Sequence, residues 1–593
     1  MPNSELTNDK CNESVLNNVE YLEASYDANF FFWYFEARNN PDTAPTALYL
    51  AGGPGASAFD LLSSFPCNYG DDSNSTTINP WSWSNNVNML YVDQPIGTGF
   101  SYAERSNGTV DTLNGEAPIF KALEEGEPLP ETNATFLAGT MDPRRNETTQ
   151  NTTVQTARTL WQFSQVWFQE FPEYKTENKE ISAWGISYCG YWAPAFFSYI
   201  LNQNDLIKAN KHPNENATTL SLGTLGIANG CIDMYSQAMS APQMAYNNTY
   251  GIKAYSEEVF KEVTKTVPVC QGLLDKCRSL RAKNDPHGLG KDDGTNEACR
   301  NASEVCFFAF DLTYYNLTNE VSEWNVGYYN QDWVQRDLGV RVNWTVEDYT
   351  YQQSMFVGTA DAMISDLTPL EHVLQRGINV AFVYGDRDYQ CNWMGAETVS
   401  LTVDYPSASD FRAAGYEDIV TNSSYKGGLV RQSGSFSFSR VFDAGHAIAF
   451  YQPETTDRIF QRAMFGKDVA TGDIDVDSEY NTEGPSEVWS VKNKIPETSP
   501  ENVCYTYHAF RSCTDEQRQA LANGTAVVKN FVAISPKGVN LENDTAGGQA
   551  AGDGDQEDDG TDKASTGVRL KGAGLGILMG SFMAMCLCSA IVS

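Results

Sequence analysis

One stretch of the chain, residues 181–194, constrains the fold more than any other. Its sequence is Ile-Ser-Ala-Trp-Gly-Ile-Ser-Tyr-Cys-Gly-Tyr-Trp-Ala-Pro. It predicts a short buried strand, a sharp turn that carries Ser187, and the beginning of an amphipathic helix. Gly185 and Cys189 lie two residues before and after this serine, and small residues there let strand and helix pass closely. The pattern indicates a nucleophile elbow, in which the helix N-terminus favours developing negative charge.

Strands and helices alternate on both sides of this stretch. Apolar runs predict strands over 30–35, 47–50, 89–92, 222–228, 378–384 and 436–442, and helical spacing predicts helices over 154–171, 367–375 and 455–464. This rhythm predicts an α/β fold with a mainly parallel central sheet. Directly after the strand at 47–50, residues 52–55 are Gly-Gly-Pro-Gly. Glycines there let backbone N–H groups point at a common spot, as an oxyanion hole requires.

The composition excludes some classes of partner. A hydrophobic content of 41% with 12% aromatic residues predicts a packed globular body. The formal net charge of -36 disfavours binding to nucleic acid or to an anionic membrane surface. We therefore expect no nucleic-acid partner.

The cysteines indicate an oxidising compartment. Of the 13 cysteines, Cys270, Cys277, Cys299 and Cys306 form one cluster, and Cys504 and Cys513 form a close pair. No histidine stands at zinc spacing beside them, so we predict disulfides, and we expect neither a metal nor a cofactor. Four cysteines allow three pairings, and we favour the nested one, 270 with 306 and 277 with 299.

Acceptor sequences for N-linked glycans point to the same compartment. Asn-x-Ser/Thr without an intervening proline occurs at Asn12, Asn74, Asn107, Asn133, Asn146, Asn151, Asn216, Asn247, Asn301, Asn316, Asn343, Asn422, Asn523 and Asn543. We therefore expect a secretory protein. Residues 1–10 contain neither a basic nor an apolar region of a signal peptide, so we expect the true start of the chain to lie upstream.

Changes in composition divide the chain into segments. The first part of the predicted α/β core occupies 1–230 and contains a polar surface insertion at 103–150. The second part of this core occupies 367–470. Between the two parts, 231–366 is predicted to form a disulfide-stapled cap. A C-terminal extension follows at 471–539. Residues 540–571 are predicted to form a disordered acidic linker.

The last segment, 572–593, is uncharged and mostly apolar. A transmembrane helix and a glycolipid-attachment signal both fit this length. Small residues and a polar spacer precede it, which favours glycolipid attachment, at a residue between 560 and 567. We therefore expect contact with a membrane through a C-terminal anchor at the cell surface.

The requirements of acyl transfer through serine are met by three residues, Ser187, Asp388 and His446. This chemistry needs a base to take the hydroxyl proton and an acid to orient the base, in the chain order Ser, Asp, His at the ends of strands. Among the five histidines, only His446 follows a strand at the end of the predicted sheet. Asp386 and Asp388 both follow the strand at 378–384. The second acid of such a turn usually points to the histidine while the first caps the turn, so we favour Asp388.

The motifs in series resemble the serine carboxypeptidase family, most closely its fungal secreted and cell-surface members. They are Gly-Gly-Pro-Gly at 52–55, Asn-Pro-Trp-Ser-Trp at 79–83, Asp-Gln-Pro at 93–95 with Gly-Phe-Ser-Tyr at 99–102, Phe-Pro-Glu-Tyr at 171–174, Ser-Tyr at 187–188, Cys-Asn-Trp at 391–393 and Ala-Gly-His at 444–446. The resemblance covers about residues 10–470. It implies an α/β-hydrolase fold with an inserted cap, a triad of Ser187, Asp388 and His446, and an oxyanion hole from the N–H groups of Gly53 and Tyr188.

Three positions depart from the family. Members typically carry Asn before Gly-Gly-Pro-Gly, Glu in Gly-Glu-Ser-Tyr and a second Glu, which together hold the C-terminal carboxylate of a peptide. Here the positions are Ala51, Ile186 and Ser63. We therefore predict a serine-type carboxypeptidase acting on peptides with an altered carboxylate site. The alternatives are a hydrolase or acyltransferase for esters or amides without a free carboxylate, and a non-catalytic cell-wall glycoprotein that keeps the fold.

Overall fold

In the part of the chain that the structure describes, a nine-stranded mixed sheet organises the fold. The computed structural model describes residues 14–536 except 22–23, 60–63, 114–119, 144–149, 309–323, 347–351, 353 and 494–502. The strands are β1 (Phe32–Phe35), β2 (Thr46–Leu50), β3 (Asn88–Val92), β4 (Glu180–Ile186), β5 (Ser221–Ala228), β6 (Asn379–Gly385), β7 (Glu417–Asn422), β8 (Tyr425–Ser433) and β9 (Phe436–Val441). Their order across the sheet is β7-β8-β9-β6-β5-β4-β2-β3-β1. The neighbours from β9 to β3 are parallel, and the outer pairs are antiparallel.

Helices cover both faces of the sheet. The main ones are α1 (Thr153–Glu170), α2 (Cys189–Lys208), α3 (Glu257–Asn284), α4 (Asp293–Ser303), α5 (Thr368–Gln375), α6 (Trp393–Thr402) and α7 (Pro453–Met464). Shorter helices span Met234–Gln237, Ser240–Tyr246, Trp324–Tyr329, Asp332–Leu338, Asp361–Ile364, Ala408–Ala413, Ile448–Tyr451, Ala509–Ser512 and Asp515–Ala522. Short strands outside the main sheet span Ser14–Tyr21, Ala24–Phe30, Cys67–Tyr69, Thr76–Ile78, Ser106–Asp111, Phe120–Ala122, Phe136–Met141, Val527–Lys529 and Val532–Ser535.

Alternate residues of each central strand belong to different cores. In β2, Leu48 and Leu50 pack in the cluster that includes the buried faces of α1 and α2. Ala47 and Tyr49 pack in the cluster that includes α7. A parallel sheet needs both faces covered, so its strands are nearly continuous apolar runs. The predicted mainly parallel sheet is therefore confirmed, and the α/β-hydrolase fold is the one that this architecture forms.

The predicted disulfides are confirmed, and one more is present. Cys270 pairs with Cys306 and Cys277 with Cys299, so α3 of the predicted cap segment is joined in the nested arrangement to α4 and to the residues just after α4. Cys504 pairs with Cys513 in the extension. A fourth disulfide, Cys231–Cys391, was not predicted, because its cysteines are 160 residues apart. The predicted linker and anchor at 540–593 lie outside the described residues.

Candidate active site

Ser187 lies on the turn between β4 and α2. Its backbone has a φ of 62°, a conformation that a residue with a side chain adopts only under constraint. The constraint comes from close packing: a Cβ added to Gly185 would lie 2.1 Å from the carbonyl oxygen of Leu50 and 2.2 Å from the Sγ of Cys189. A Cβ added to Gly190 would lie 2.4 Å from the carbonyl oxygen of Cys231. The sequence therefore folds here as an elbow that presents a half-buried serine.

The loops after β6 and β9 bring an acid and a histidine together. His446 Nδ1 lies 2.8 Å from Asp388 Oδ2. A carboxylate only accepts, so Nδ1 donates, and the neutral ring keeps Nε2 as a proton acceptor. Burial lowers the pKa of His446, but the charge and the hydrogen bond of Asp388 outweigh it, so the pKa is raised. Asp388 is itself buried, and its Oδ1 accepts a hydrogen bond from the backbone N–H of Gln390 at 3.0 Å.

The other acid of this turn, Asp386, forms its hydrogen bonds with groups other than His446. Its Oδ1 accepts from the Tyr250 hydroxyl at 2.6 Å and from the backbone N–H of Asp443 at 2.9 Å. Its Oδ2 lies 3.3 Å from the guanidinium of Arg440, and both side chains are fully buried. Burial raises the pKa of Asp386 to about 6, although the charge of Arg440 opposes the shift. Asp386 thus fastens the turn on which Asp388 stands.

The glycine loop after β2 packs directly on the elbow. A Cβ added to Gly52 would lie 2.5 Å from Ser187 Cβ and 2.9 Å from the backbone nitrogen of Tyr188. Gly53 follows with a φ of 106°, which favours glycine. The approach leaves no room for a side chain at position 52. The loop backbone is thereby held beside the first N–H groups of α2.

Asp93 binds the residues that directly follow the glycine loop. Its Oδ1 accepts from the Ser57 hydroxyl at 2.6 Å and from the backbone N–H of Ala58 at 2.8 Å. Its Oδ2 accepts from the backbone N–H of Phe100 at 2.9 Å. Burial raises the pKa of Asp93 to about 7. The acid of the Asp-Gln-Pro motif is therefore a brace for the glycine loop, a role that the sequence pattern did not reveal.

The Tyr188 side chain links the elbow to the predicted cap segment, 231–366. Its hydroxyl donates to Asp361 Oδ2 at 3.1 Å, and its ring packs edge-on against Phe356 with 5.8 Å between centroids. Asp361 also accepts from the hydroxyl and the backbone N–H of Thr153 at the start of α1. Burial raises the pKa of Asp361. The residue that follows the serine is thus fixed by Asp361, which the start of α1 holds in turn.

The positions that depart from the family pattern are apolar where the structure describes them. Ala51 and Ile186 are buried in the same apolar cluster. The carbonyl oxygen of Ala51 accepts from the indole N–H of Trp192 at 3.2 Å. Ser63, the third position, lies outside the described residues.

An elbow serine and a histidine bonded to a buried acid are features of the serine hydrolases that have the α/β-hydrolase fold. Comparison with known proteins narrows the class. The family model described as serine carboxypeptidase matches residues 11–466. Carboxypeptidase S1 homolog A of Arthroderma otae is 42% identical over 548 residues, which cover 88% of this chain and 83% of that protein. A carboxypeptidase Y homolog of Arthroderma benhamiae is 37% identical over 551 residues, 88% of this chain and 85% of that protein.

A solved structure supports the fold. The crystal structure of Kex1Δp, a prohormone-processing carboxypeptidase from Saccharomyces cerevisiae, is similar with a TM-score of 0.53. The match has 20% sequence identity and covers 75% of this chain and 88% of that one. The chain therefore belongs to the serine carboxypeptidase family and is a serine-type carboxypeptidase, a hydrolase.

Proposed function

We propose that the protein removes C-terminal residues from peptides through an acyl-enzyme on Ser187. The 2.8 Å hydrogen bond from His446 to Asp388, on loops of the same sheet edge as the elbow, carries this proposal. His446 Nε2 takes the hydroxyl proton as Ser187 Oγ attacks the scissile carbonyl carbon. It then gives that proton to the leaving amine as the C–N bond breaks. Water, activated by the same nitrogen, hydrolyses the ester and frees Ser187.

The N–H groups of Gly53 and Tyr188 form the oxyanion hole in this proposal. The tetrahedral intermediate places a negative charge on the former carbonyl oxygen, and preorganised N–H donors stabilise it. The support is the contact of the glycine loop with the elbow, where position 52 comes within reach of Ser187 Cβ and Tyr188 N. The fixed Tyr188 side chain and the Asp93 brace keep both backbones in place before substrate binds.

We also propose that the site recognises the substrate carboxylate weakly. Ala51 and Ile186 offer no hydrogen-bond donor from their side chains, and both belong to an apolar cluster. A hydrogen bond to a charged group contributes about 1.5–3 kcal/mol, so the absence of two such contacts lowers selectivity for a free C-terminus by orders of magnitude.

This proposal predicts similar kcat/KM values for the free acid and the C-terminal amide of one blocked dipeptide. Both substrates need neutral His446, and its pKa lies above the usual value. For both, kcat/KM should therefore rise with pH through this raised pKa, since protonated His446 cannot act as a base. The free acid should gain no preference at acidic pH. Initial rates for acid, amide and ester between acidic and alkaline pH measure both expectations.

A double replacement is the matched control for that experiment. Ala51→Asn with Ile186→Glu restores polar groups at both positions, and it should produce a preference for the free acid. A wild-type preference of a hundredfold or more for the free acid, about 2.7 kcal/mol, would contradict the altered site. Turnover of the ester and the amide with none of the free acid would support an ester or amide hydrolase instead.

The protein is also proposed to be a glycosylated, glycolipid-anchored cell-surface enzyme. Disulfides on the described residues support an oxidising compartment. Asn216, Asn301 and Asn523 stand in acceptor sequences and are exposed. The apolar segment 572–593 supports the anchor. Across the residues that the structure describes, no helix is long and apolar enough to cross a membrane.

Location is tested on intact cells. A phospholipase that cleaves glycolipid anchors should release the enzyme, and endoglycosidase should then increase its electrophoretic mobility. Deletion of 572–593 should send the enzyme to the medium. Enzyme that stays on the membrane after phospholipase treatment, with residues 572–593 detected in the mature chain by mass spectrometry, would show a transmembrane anchor instead.

A further inference from the structure

The end of β5 and the residues just after it contact the loops of all three proposed catalytic residues. The backbone N–H of Ser187 donates to the carbonyl of Ala228 at 3.1 Å, and the carbonyl of Ser187 accepts from the N–H of Cys231 at 3.2 Å. Cys231 is in turn bonded through its disulfide to Cys391, which lies three residues after Asp388. The segment 228–231 therefore joins the elbow to the acid turn.

Asn229, within this segment, joins the acid turn to the histidine loop. Its Oδ1 accepts from the backbone N–H of Gly385 at 2.7 Å. Its Nδ2 donates to the carbonyl oxygens of Gly445 and His446, each at 2.7 Å. The side chain is fully buried, and a φ of 39° sets its direction. All three bonds are short and end on backbone atoms of the two loops.

We infer that Asn229 is a positioning residue that holds His446 against Asp388. The inference rests on the proposed function, because it assigns a role within that triad. Gly385 ends β6 three residues before Asp388, and the histidine's own carbonyl is the other attachment. The distance between the two loops is thus fixed through one amide, and the bond between Asp388 and His446 depends on that distance.

The chemistry of the amide explains why asparagine stands there. Only a carboxamide offers one acceptor and two donors at this length. Aspartate has the same volume but would place a carboxylate against two carbonyl oxygens. Alanine would leave one N–H and two C=O groups buried without these partners, and buried unpaired polar groups are costly.

The test compares Asn229→Ala and Asn229→Asp with Asn88→Ala in the full chain. Asn88 is the matched control, because it is also fully buried and its amide also bonds one N–H, of Ala37, and two carbonyls, of Pro41 and Ala44. It lies at the opposite end of the sheet. Misplacement by about 1 Å can cost about a hundredfold, so Asn229→Ala should lower kcat about a hundredfold with KM within about twofold. Asn229→Asp should lower kcat further, whereas a residue that merely fills space would tolerate aspartate better than alanine.

Two further measurements separate the possible failures. First, all rates are normalised to the fraction of protein that retains a cooperative thermal transition. Second, the loss in kcat caused by Asn229→Ala should be smaller in an Asp388→Asn background, because the bond between Asp388 and His446 is already impaired there. The inference would be overturned if the kcat losses of Asn229→Ala and Asp388→Asn were fully additive in the double variant. It would also be overturned if both Asn229 variants had the same kcat as Asn88→Ala. If Ser187→Ala kept wild-type activity in the same assay, the proposed function would fail, and the inference with it.

Discussion

Ser187→Ala should lower kcat by about a millionfold, the loss typical of a serine triad without its nucleophile. Alanine at this position has no oxygen to form the acyl-enzyme, and the oxyanion hole alone can provide only residual catalysis. His446→Ala should cost about as much, because nucleophile and base act as one unit. Turnover of a blocked dipeptide ester and the rate of covalent labelling by a fluorophosphonate measure both losses.

Matched controls for these variants exist in the same chain. Ser221 is exposed at the start of β5, so Ser221→Ala should label and turn over like wild type. His372 lies on α5 with its Nδ1 2.9 Å from the Ser198 hydroxyl, and His372→Ala should likewise keep activity. Folded wild-type protein that is neither labelled nor active would support a non-catalytic glycoprotein with this fold.

The central sheet could be predicted because most of its strands are clear apolar runs in the sequence. The predicted strand 47–50 is β2 (Thr46–Leu50), and the predicted strand 436–442 is β9 (Phe436–Val441). Parallel strands are buried on both faces, so each is an apolar run that ends in glycine or polar residues. Those ends coincide with the sheet edge where parallel α/β folds place their sites, which is why the sequence could propose Ser187, Asp388 and His446 as candidates.

Strands β7 and β8 were not predicted. They are antiparallel, and β8 contains Gly427 and Gly428, which local sequence associates with a turn. In the fold these glycines serve close packing: an added Cβ would lie 2.2 Å from the Thr455 hydroxyl at position 427 and 2.4 Å from the Arg440 carbonyl at position 428. The presence of glycine at these two strand positions is explained only by residues that are distant in the sequence and close in the fold.

The residues that hold the site together were also beyond the reach of sequence patterns. Asn229 bonds backbone atoms 156 and 216 residues away, and a single asparagine after a strand has no distinguishing neighbours. Cys231 and Cys391, which form a disulfide, are 160 residues apart. Chemistry-bearing side chains follow rules of order along the chain, whereas the side chains that position them are chosen by contacts that exist only after folding.

Asp388→Asn should lower kcat about ten-thousandfold, the largest effect that we expect after the loss of the nucleophile or the base. The amide can still bond to His446, but its NH2 group would favour the imidazole tautomer with Nδ1 as acceptor, which puts the ring proton on Nε2 and removes the base. It also lacks the negative charge that raises the pKa of His446 and stabilises the imidazolium formed during catalysis. KM should change little, because Asp388 is buried beneath the histidine. Steady-state kinetics with the blocked ester measure the split between kcat and KM.

Asp386→Asn is the comparison that makes this experiment decisive, since it alters the other acid of the same turn. Asparagine there keeps an oxygen for the Tyr250 hydroxyl and the Asp443 N–H, and in the structure Asp386 bonds to these groups and to Arg440. We therefore expect kcat to fall by no more than about tenfold, since a small shift of the turn is transmitted to the histidine only indirectly. If Asp386→Asn instead cost as much as Asp388→Asn, or if Asp388→Asn kept most of the activity, then the hydrogen bond between Asp388 and His446 would not be the one that prepares the base. The orienting acid would then have to be Asp386, brought to the histidine by a movement of the turn when substrate binds.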